Sequence, residues 1–194
     1  MLSSPIVLQM PPELQMTDEL FFEFCQINRD SRIERNKLGE ISIMPPTSSE
    51  TGNREGNIFG QLWVWSEQDG TGITFSSSTG FKLSTGAERS PDASWIKLDR
   101  WNTLSPRQQQ RFAPICPDFV VELRSPSDNL KPLQEKMVEY MQEPGIQLGW
   151  PIDRKHQKVY IYRPTEEVEC LDNPATVSGE GVLPGFALNM SKIW

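Results

Sequence analysis

PDFVVELRSPSD, residues Pro117–Asp128, is the stretch whose reading decides the fold. Side chains alternate along a strand, so Phe119, Val121 and Leu123 share one face, and Asp118, Val120, Glu122 and Arg124 share the other. The β-branched and aromatic content suits a central strand better than a helix. A glutamate inside that apolar run needs a partner, because an isolated buried carboxylate is costly. A metal ion is one such partner; a salt bridge to Arg124, Lys136 or another cation is the plainer alternative. Asp118 lies four residues from Glu122, about 13 Å along a strand, which is too far to share one ion and gives it a structural role.

Outward on the C-terminal side, Ser127 or Asp128 is expected to cap a helix with Pro132 in its first turn, where a missing N–H does no harm. Leu130, Leu133, Met137, Tyr140 and Met141 form its apolar stripe, and Pro144–Gly145 ends it. At 100° per residue, Lys136 lies about 60° from Leu133 and about 40° from Tyr140. It therefore borders the buried face. Ile146–Ile152 and Lys158–Tyr162 read as strands joined by the polar turn Asp153–Gln157, and Val168–Leu171 as a further strand before a loop-rich tail.

On the N-terminal side, residues 1–16 are Pro-rich and expected to be extended. Thr17 caps a helix whose apolar positions are Leu20, Phe21, Phe24 and Ile27. Arg32–Met44 reads as a β-hairpin with Leu38–Gly39 in its turn. A second helix is expected from about Thr51 to Glu67, with Ile58, Leu62 and Trp65 on one side. Gly72–Phe75 and Phe81–Leu83 read as strands. Arg89–Trp101 carries another as far as Leu98, with Asp92 at its entry, where a turn residue after Pro91 is ordinary. Ser105–Arg111 reads as a short helix with Pro106 at its first position. Trp63, Trp65, Trp95 and Trp150 fall at core-like positions. The order of elements predicts one α/β domain over 1–194, a mixed central sheet flanked by helices.

Composition narrows the function. The chain has 194 residues and a formal charge of −7, which argues against broad coating of nucleic acid. Cys25, Cys116 and Cys170 are widely spaced and His156 is the sole histidine, so a structural zinc site lacks its four clustered ligands. His156 itself sits among the charged residues of a hairpin turn. No basic leader or long apolar run is present, and the expectation is a cytoplasmic protein without a membrane span. Asp92, Glu122 and Lys136 stand at the mouths of neighbouring elements. Two carboxylates are a usual protein contribution to a Mg²⁺ site, the rest coming from water and phosphate.

PDFVVELRSPSD followed by LQEKMVEY resembles the signature of the Uma-type family of restriction endonucleases, within the PD-(D/E)XK, restriction-endonuclease-like superfamily. GEISIMPPT, SPDASWI and GWPIDRKHQKVYIYRP are similar to that family too, so the resemblance runs from about Thr17 to Pro164. It implies a metal-dependent endonuclease acting on DNA, with Asp92, Glu122 and the backbone carbonyl of Leu123 as ligands of Mg²⁺ or Mn²⁺. The superfamily places a lysine two residues after the glutamate. Here Arg124 stands there, and the resemblance moves the lysine to Lys136. It also implies a further early acidic residue, for which Glu40, Glu50 and Glu55 are candidates and Glu40 the preferred one. A duplex presents two strands, which suits a homodimer. The rival expectations are a non-catalytic nuclease-fold binding or regulatory protein and a metal-dependent hydrolase of small phosphate compounds.

Overall fold

The structure, a computed structural model, describes residues 5–125 and 129–194. In chain order the elements are β1 (Ile6–Leu8), a 3-10 turn at Pro12–Leu14, α1 (Asp18–Ile27), β2 (Arg32–Arg35), β3 (Ile41–Met44), α2 (Ser49–Asp69), β4 (Gly72–Ser76), β5 (Phe81–Lys82), β6 (Glu88–Arg89), β7 (Ala93–Lys97), the short α3 (Leu98–Trp101) and α4 (Pro106–Gln109). Then follow β8 (Phe119–Leu123), α5 (Leu130–Met141), β9 (Leu148–Asp153), β10 (Lys158–Ile161), β11 (Glu169–Asp172), β12 (Thr176–Ser178), β13 (Ala187–Asn189) and a closing 3-10 turn at Met190–Lys192.

The main sheet has six strands in the order β11-β10-β9-β8-β7-β4. Its β8–β9 pair is parallel, with Glu122 opposite Pro151 and Leu123 opposite Ile152. The neighbouring β7–β8 and β9–β10 pairs are antiparallel. A parallel pair needs a crossover rather than a hairpin, and α5 supplies it. The second sheet, β1-β3-β2-β6-β5, has five strands and contains the N-terminal hairpin. The chain passes from one sheet to the other between β6 and β7, through Ser90, Pro91 and Asp92.

The alternation of β8 divides the core. Phe119, Val121 and Leu123 join Ile58 and Leu62 of α2, Trp95, Trp150 and the C-terminal residues Val177, Leu183, Phe186 and Leu188. Val120 packs on the other face with Met137 and Tyr140 of α5. Gly149 lets α5 lie close to the sheet. A Cβ there would sit 2.2 Å from Met137 Sδ and 2.8 Å from Met141 Cε. The mixed α/β architecture and the N-terminal helix and hairpin agree with the sequence.

Several local expectations change. Leu20 and Ile27 are 55% and 82% exposed while Phe21 is fully buried, so α1 packs through a narrower stripe than its sequence offers. Trp63 is 48% exposed, because α2 turns Ile58, Leu62 and Ser66 inward instead. The strand expected to run on from the Pro91–Asp92 entry to Leu98 is β7, Ala93–Lys97, while Glu88–Arg89 just before it pair in the other sheet. The extended N-terminal segment contributes a paired edge strand, Ile6–Leu8 against Ile41–Ile43. The tail is more ordered than its Gly and Pro content suggests: β12 and β13 form a hairpin that places Val177 and Leu188 in the core. The helix capping expected from Ser127 or Asp128 lies outside the described residues.

Candidate active site

Glu122 stands near the end of β8, on the face turned to α5. It is 2% exposed. Lys136, one turn before Tyr140 on α5, reaches its Oε1 at 2.7 Å, and the Tyr140 hydroxyl donates to the same oxygen at 3.2 Å. Asp92 enters from the switch between the sheets. Its backbone N–H donates to Val121 O, which docks it on β8. Its Oδ2 accepts the Leu123 N–H at 2.7 Å, and its Oδ1 accepts from Arg32 Nη1 at 2.6 Å. Arg124 N donates to Ile152 O on the β9 side. Because successive peptide groups in a strand face opposite ways, the Leu123 carbonyl is aimed to the side where Asp92 lies. Asp92, Glu122, Lys136 and Leu123 are therefore gathered at one end of the main sheet.

One member of the cluster escapes the sequence reading. Glu34, on β2, is 5% exposed. Its Oε1 accepts from Lys136 Nζ at 2.8 Å and from Ser90 N at 2.9 Å, and its Oε2 faces Arg89 Nη1 at 3.2 Å. Arg89 in turn holds Glu139 at 2.6 Å. Lys136 is thus clamped between Glu34 from the second sheet and Glu122 from the first.

The two carboxylates differ in acidity. Burial alone raises both. At Glu34 the attraction of Lys136, Arg89 and Arg32 outweighs that penalty, and its pKa falls below the usual carboxylate value. At Glu122 burial wins over Lys136, helped by the charges of Asp92 and Glu34, and its pKa rises. Lys136 stays a cation: burial opposes its charge, but Glu122 and Glu34 more than compensate. Of the pair beside this lysine, Glu34 is the firm anion and Glu122 the group that takes up a proton more readily.

The early acidic candidates separate cleanly. Glu55, half-buried on α2, has a pKa pushed up to about 7, first by burial and then by the charge of Asp92. Glu55 therefore feels the charge of Asp92. Glu50 is 60% exposed and engages Arg54 and Arg154. Glu40 accepts from Asn36 at the far end of the hairpin. Asn36 follows the last residue of β2, four positions from Arg32, so Glu40 lies roughly 13 Å away from the end where Arg32 meets Asp92. The preferred early residue stands at the hairpin turn, and of the three candidates Glu55 is the one that feels Asp92.

The remaining polar residues of the opening stretch have other partners. Asp118 is fully buried and accepts from Lys97 N, Arg100 and Gln147 at the opposite end of β8. Arg124 binds Asp153 at 2.8 Å, and Asp153 also accepts from His156 at 2.7 Å. Two surface hollows of about 550 and 420 Å³ lie elsewhere, along α2 and beside Phe22 and Arg111. Among the described residues, no three His, Cys, Asp or Glu side chains form a ready-made metal cage. The oxygen donors of Asp92, Glu122 and the Leu123 carbonyl are nonetheless the kind that a hard divalent cation takes alongside water and phosphate.

An acidic pair thus stands at one end of the mixed sheet, and a lysine reaches it from α5. A solved structure described as a putative nuclease belonging to DUF820 from Anabaena variabilis ATCC 29413 superposes with a TM-score of 0.70. It is 20% identical, and the match covers 84% of this chain and 90% of that one. The chain belongs to the Uma2 family, described as "Putative restriction endonuclease", whose model matches residues 18–191. Comparison with curated proteins found no match.

Proposed function

We propose that this protein is a divalent-metal-dependent endonuclease that hydrolyses phosphodiester bonds in DNA, with the whole chain acting as one restriction-endonuclease-like domain. The observation that carries the reading is the meeting of Asp92, Glu122 and Lys136 at one sheet end, from three separate elements. Asp92, Glu122 and the Leu123 carbonyl would hold Mg²⁺ or Mn²⁺, and Glu55 is the early acidic residue the geometry favours. The ion, when bound, would lower the pKa of a water molecule and polarise a phosphoryl oxygen. Lys136, kept charged between Glu34 and Glu122, has the role of orienting the attacking water and offsetting charge that grows on the phosphate. Family membership supports the nuclease assignment.

The test is cleavage of double- and single-stranded DNA and of RNA, with Mg²⁺ or Mn²⁺, by wild type, Asp92→Asn, Glu122→Gln and Lys136→Met. Each variant is expected to lose at least about 100-fold in rate, as removal of a principal electrostatic group does. Equal activity in all four proteins refutes the assignment.

A second reading is a nuclease-fold protein that binds without cutting. The charge of −7 favours it. It predicts a binding or regulatory role with no metal-dependent product in any of the four proteins. Among the described residues no helix is long and apolar enough to cross a membrane. A cytoplasmic location and a homodimer matched to the two strands of a duplex remain part of the proposal, the latter tested by light scattering with and without DNA.

A further inference from the structure

Three arginines face the acidic cluster or its border, and they are held very differently. Arg89 spans Glu34 and Glu139. Arg35, further along β2, grips Glu88 with two nitrogens and also holds Asp18. Among the described residues the Arg32 side chain makes one hydrogen bond, from Nη1 to Asp92 Oδ1. Its Nε is buried without a partner among the described residues. Its side chain keeps 29% exposure. It stands at the first residue of β2, where the strand begins, rather than inside a helix or sheet centre.

The charges explain why it stays. Arg32 is the ion-pair partner of Asp92 among the described residues, whereas Lys136 is already shared by Glu34 and Glu122. Burial works against the guanidinium charge, but Asp92, Glu34 and Glu122 together outweigh it. A guanidinium held through one nitrogen among the described residues is nevertheless less fully engaged than Arg35 or Arg89. A planar fork of donors prefers two parallel bonds to a carboxylate or phosphate.

We propose that Arg32 is a built-in counter-cation that competes with the divalent metal for Asp92 and moves to a substrate phosphodiester when one arrives. This rests on the metal reading above and adds a coupling to it. A metal at Asp92 feels the repulsion of the guanidinium beside it, so metal alone binds weakly. A phosphodiester offers Arg32 the two-point partner that Asp92 does not. Drawing the guanidinium outward removes the repulsion, so metal and phosphodiester strengthen each other's binding, and by linkage the effect is equal in both directions. Ion and substrate are thereby recruited together, and Arg32 acts as a positioning residue for the metal.

The experiment measures Mn²⁺ affinity of the full chain by electron paramagnetic resonance, with dimethyl phosphate as the phosphodiester probe. Arg32→Met is expected to bind Mn²⁺ at least about tenfold more tightly than wild type, because a unit charge a few ångströms away is gone. Arg32→Lys keeps the charge and should stay near wild type. Saturating dimethyl phosphate should tighten Mn²⁺ binding several-fold more in wild type than in Arg32→Met, narrowing the gap between them. Mn²⁺ binding that is lost in Asp92→Asn but is the same in wild type and Arg32→Met overturns the competition while leaving the metal site standing. Absence of Mn²⁺ binding to wild type overturns both. If Arg32→Met does not fold, the dimethyl phosphate effect on wild type decides: no tightening refutes the coupling.

Discussion

Replacing Lys136 by Met removes one ammonium from between two buried carboxylates. The chain loses a 2.7 Å contact to Glu122 and a 2.8 Å contact to Glu34, at a side chain only 13% exposed. Breaking a buried pair from one side costs about 3–5 kcal/mol, since it strands the remaining charge. The two carboxylates do not suffer equally. Glu34 keeps Arg89 and the Ser90 N–H. Glu122 Oε1 keeps, among the described residues, the Tyr140 hydroxyl alone. The loss therefore falls on Glu122, and about 3 kcal/mol at pH 8 is expected, near the lower end of that range. Glu122→Gln in the same background replaces the stranded anion with an amide and should recover most of it, because removing both partners costs far less than removing one. Urea unfolding of wild type, both single variants and the double variant closes the cycle. Because burial already raises the Glu122 pKa, protonation supplies a second escape, and Lys136→Met should lose less stability at pH 5.5 than at pH 8. A coupling energy below about 0.5 kcal/mol at pH 8, the size of an exposed pair, refutes this account of the clamp.

Glu55 supplies a pH prediction. Its folded pKa is about 7 against an ordinary 4.5, so the folded state holds the extra proton between those values. Stability falls as pH rises through that window, and Glu55→Gln should flatten the decline in urea midpoint between pH 4.5 and 7. Glu34 works in the opposite sense: its lowered pKa adds stability above about pH 4.5 that is lost on acidification. Glu34→Gln should remove that acid-side loss in the same titration. Glu40→Gln should leave Mn²⁺ affinity unchanged while Glu55→Gln weakens it by a factor of about 10, as loss of a group supporting the metal does; the reverse order would return the early acidic role to Glu40. Gly149→Ala forces a Cβ against Met137 and Met141, and should cost about 1–3 kcal/mol by overpacking, seen as a lower Tm.

Much of this was legible because its signals are local. A β-branched run with a glutamate in it marked β8, and the 3.6-residue spacing of α5 put Lys136 beside the buried stripe. Glu34 was not legible. In RIER it alternates with Ile33, so local pattern assigns it to the outer side of a hairpin. It is buried because β6 leads across to the main sheet and brings Ser90 and Arg89 over it. A glutamate between two arginines in a strand was the available sign, but such spacing is also common on solvated faces. Glu40 attracted attention through the GE pair that follows the hairpin turn; only the register, with Arg35 opposite Ile41, shows that the turn points away from the site. Trp63 and Ile27 misled for a related reason: large apolar residues at helical spacing do not reveal how wide a stripe the rest of the protein will cover.

The clamp on Lys136 also bears on how the protein comes to life in a cell. Glu34 and Lys136 are separated by 102 positions, and β9, against which α5 rests, comes later still. Contacts that distant form late, after the entropy of a long loop has been overcome. A growing chain in which α5 has not docked carries Asp92 and Glu122 with no lysine to complete them. On the proposed roles, a nascent chain would stay inactive until the sheet closes, and activity would follow native folding.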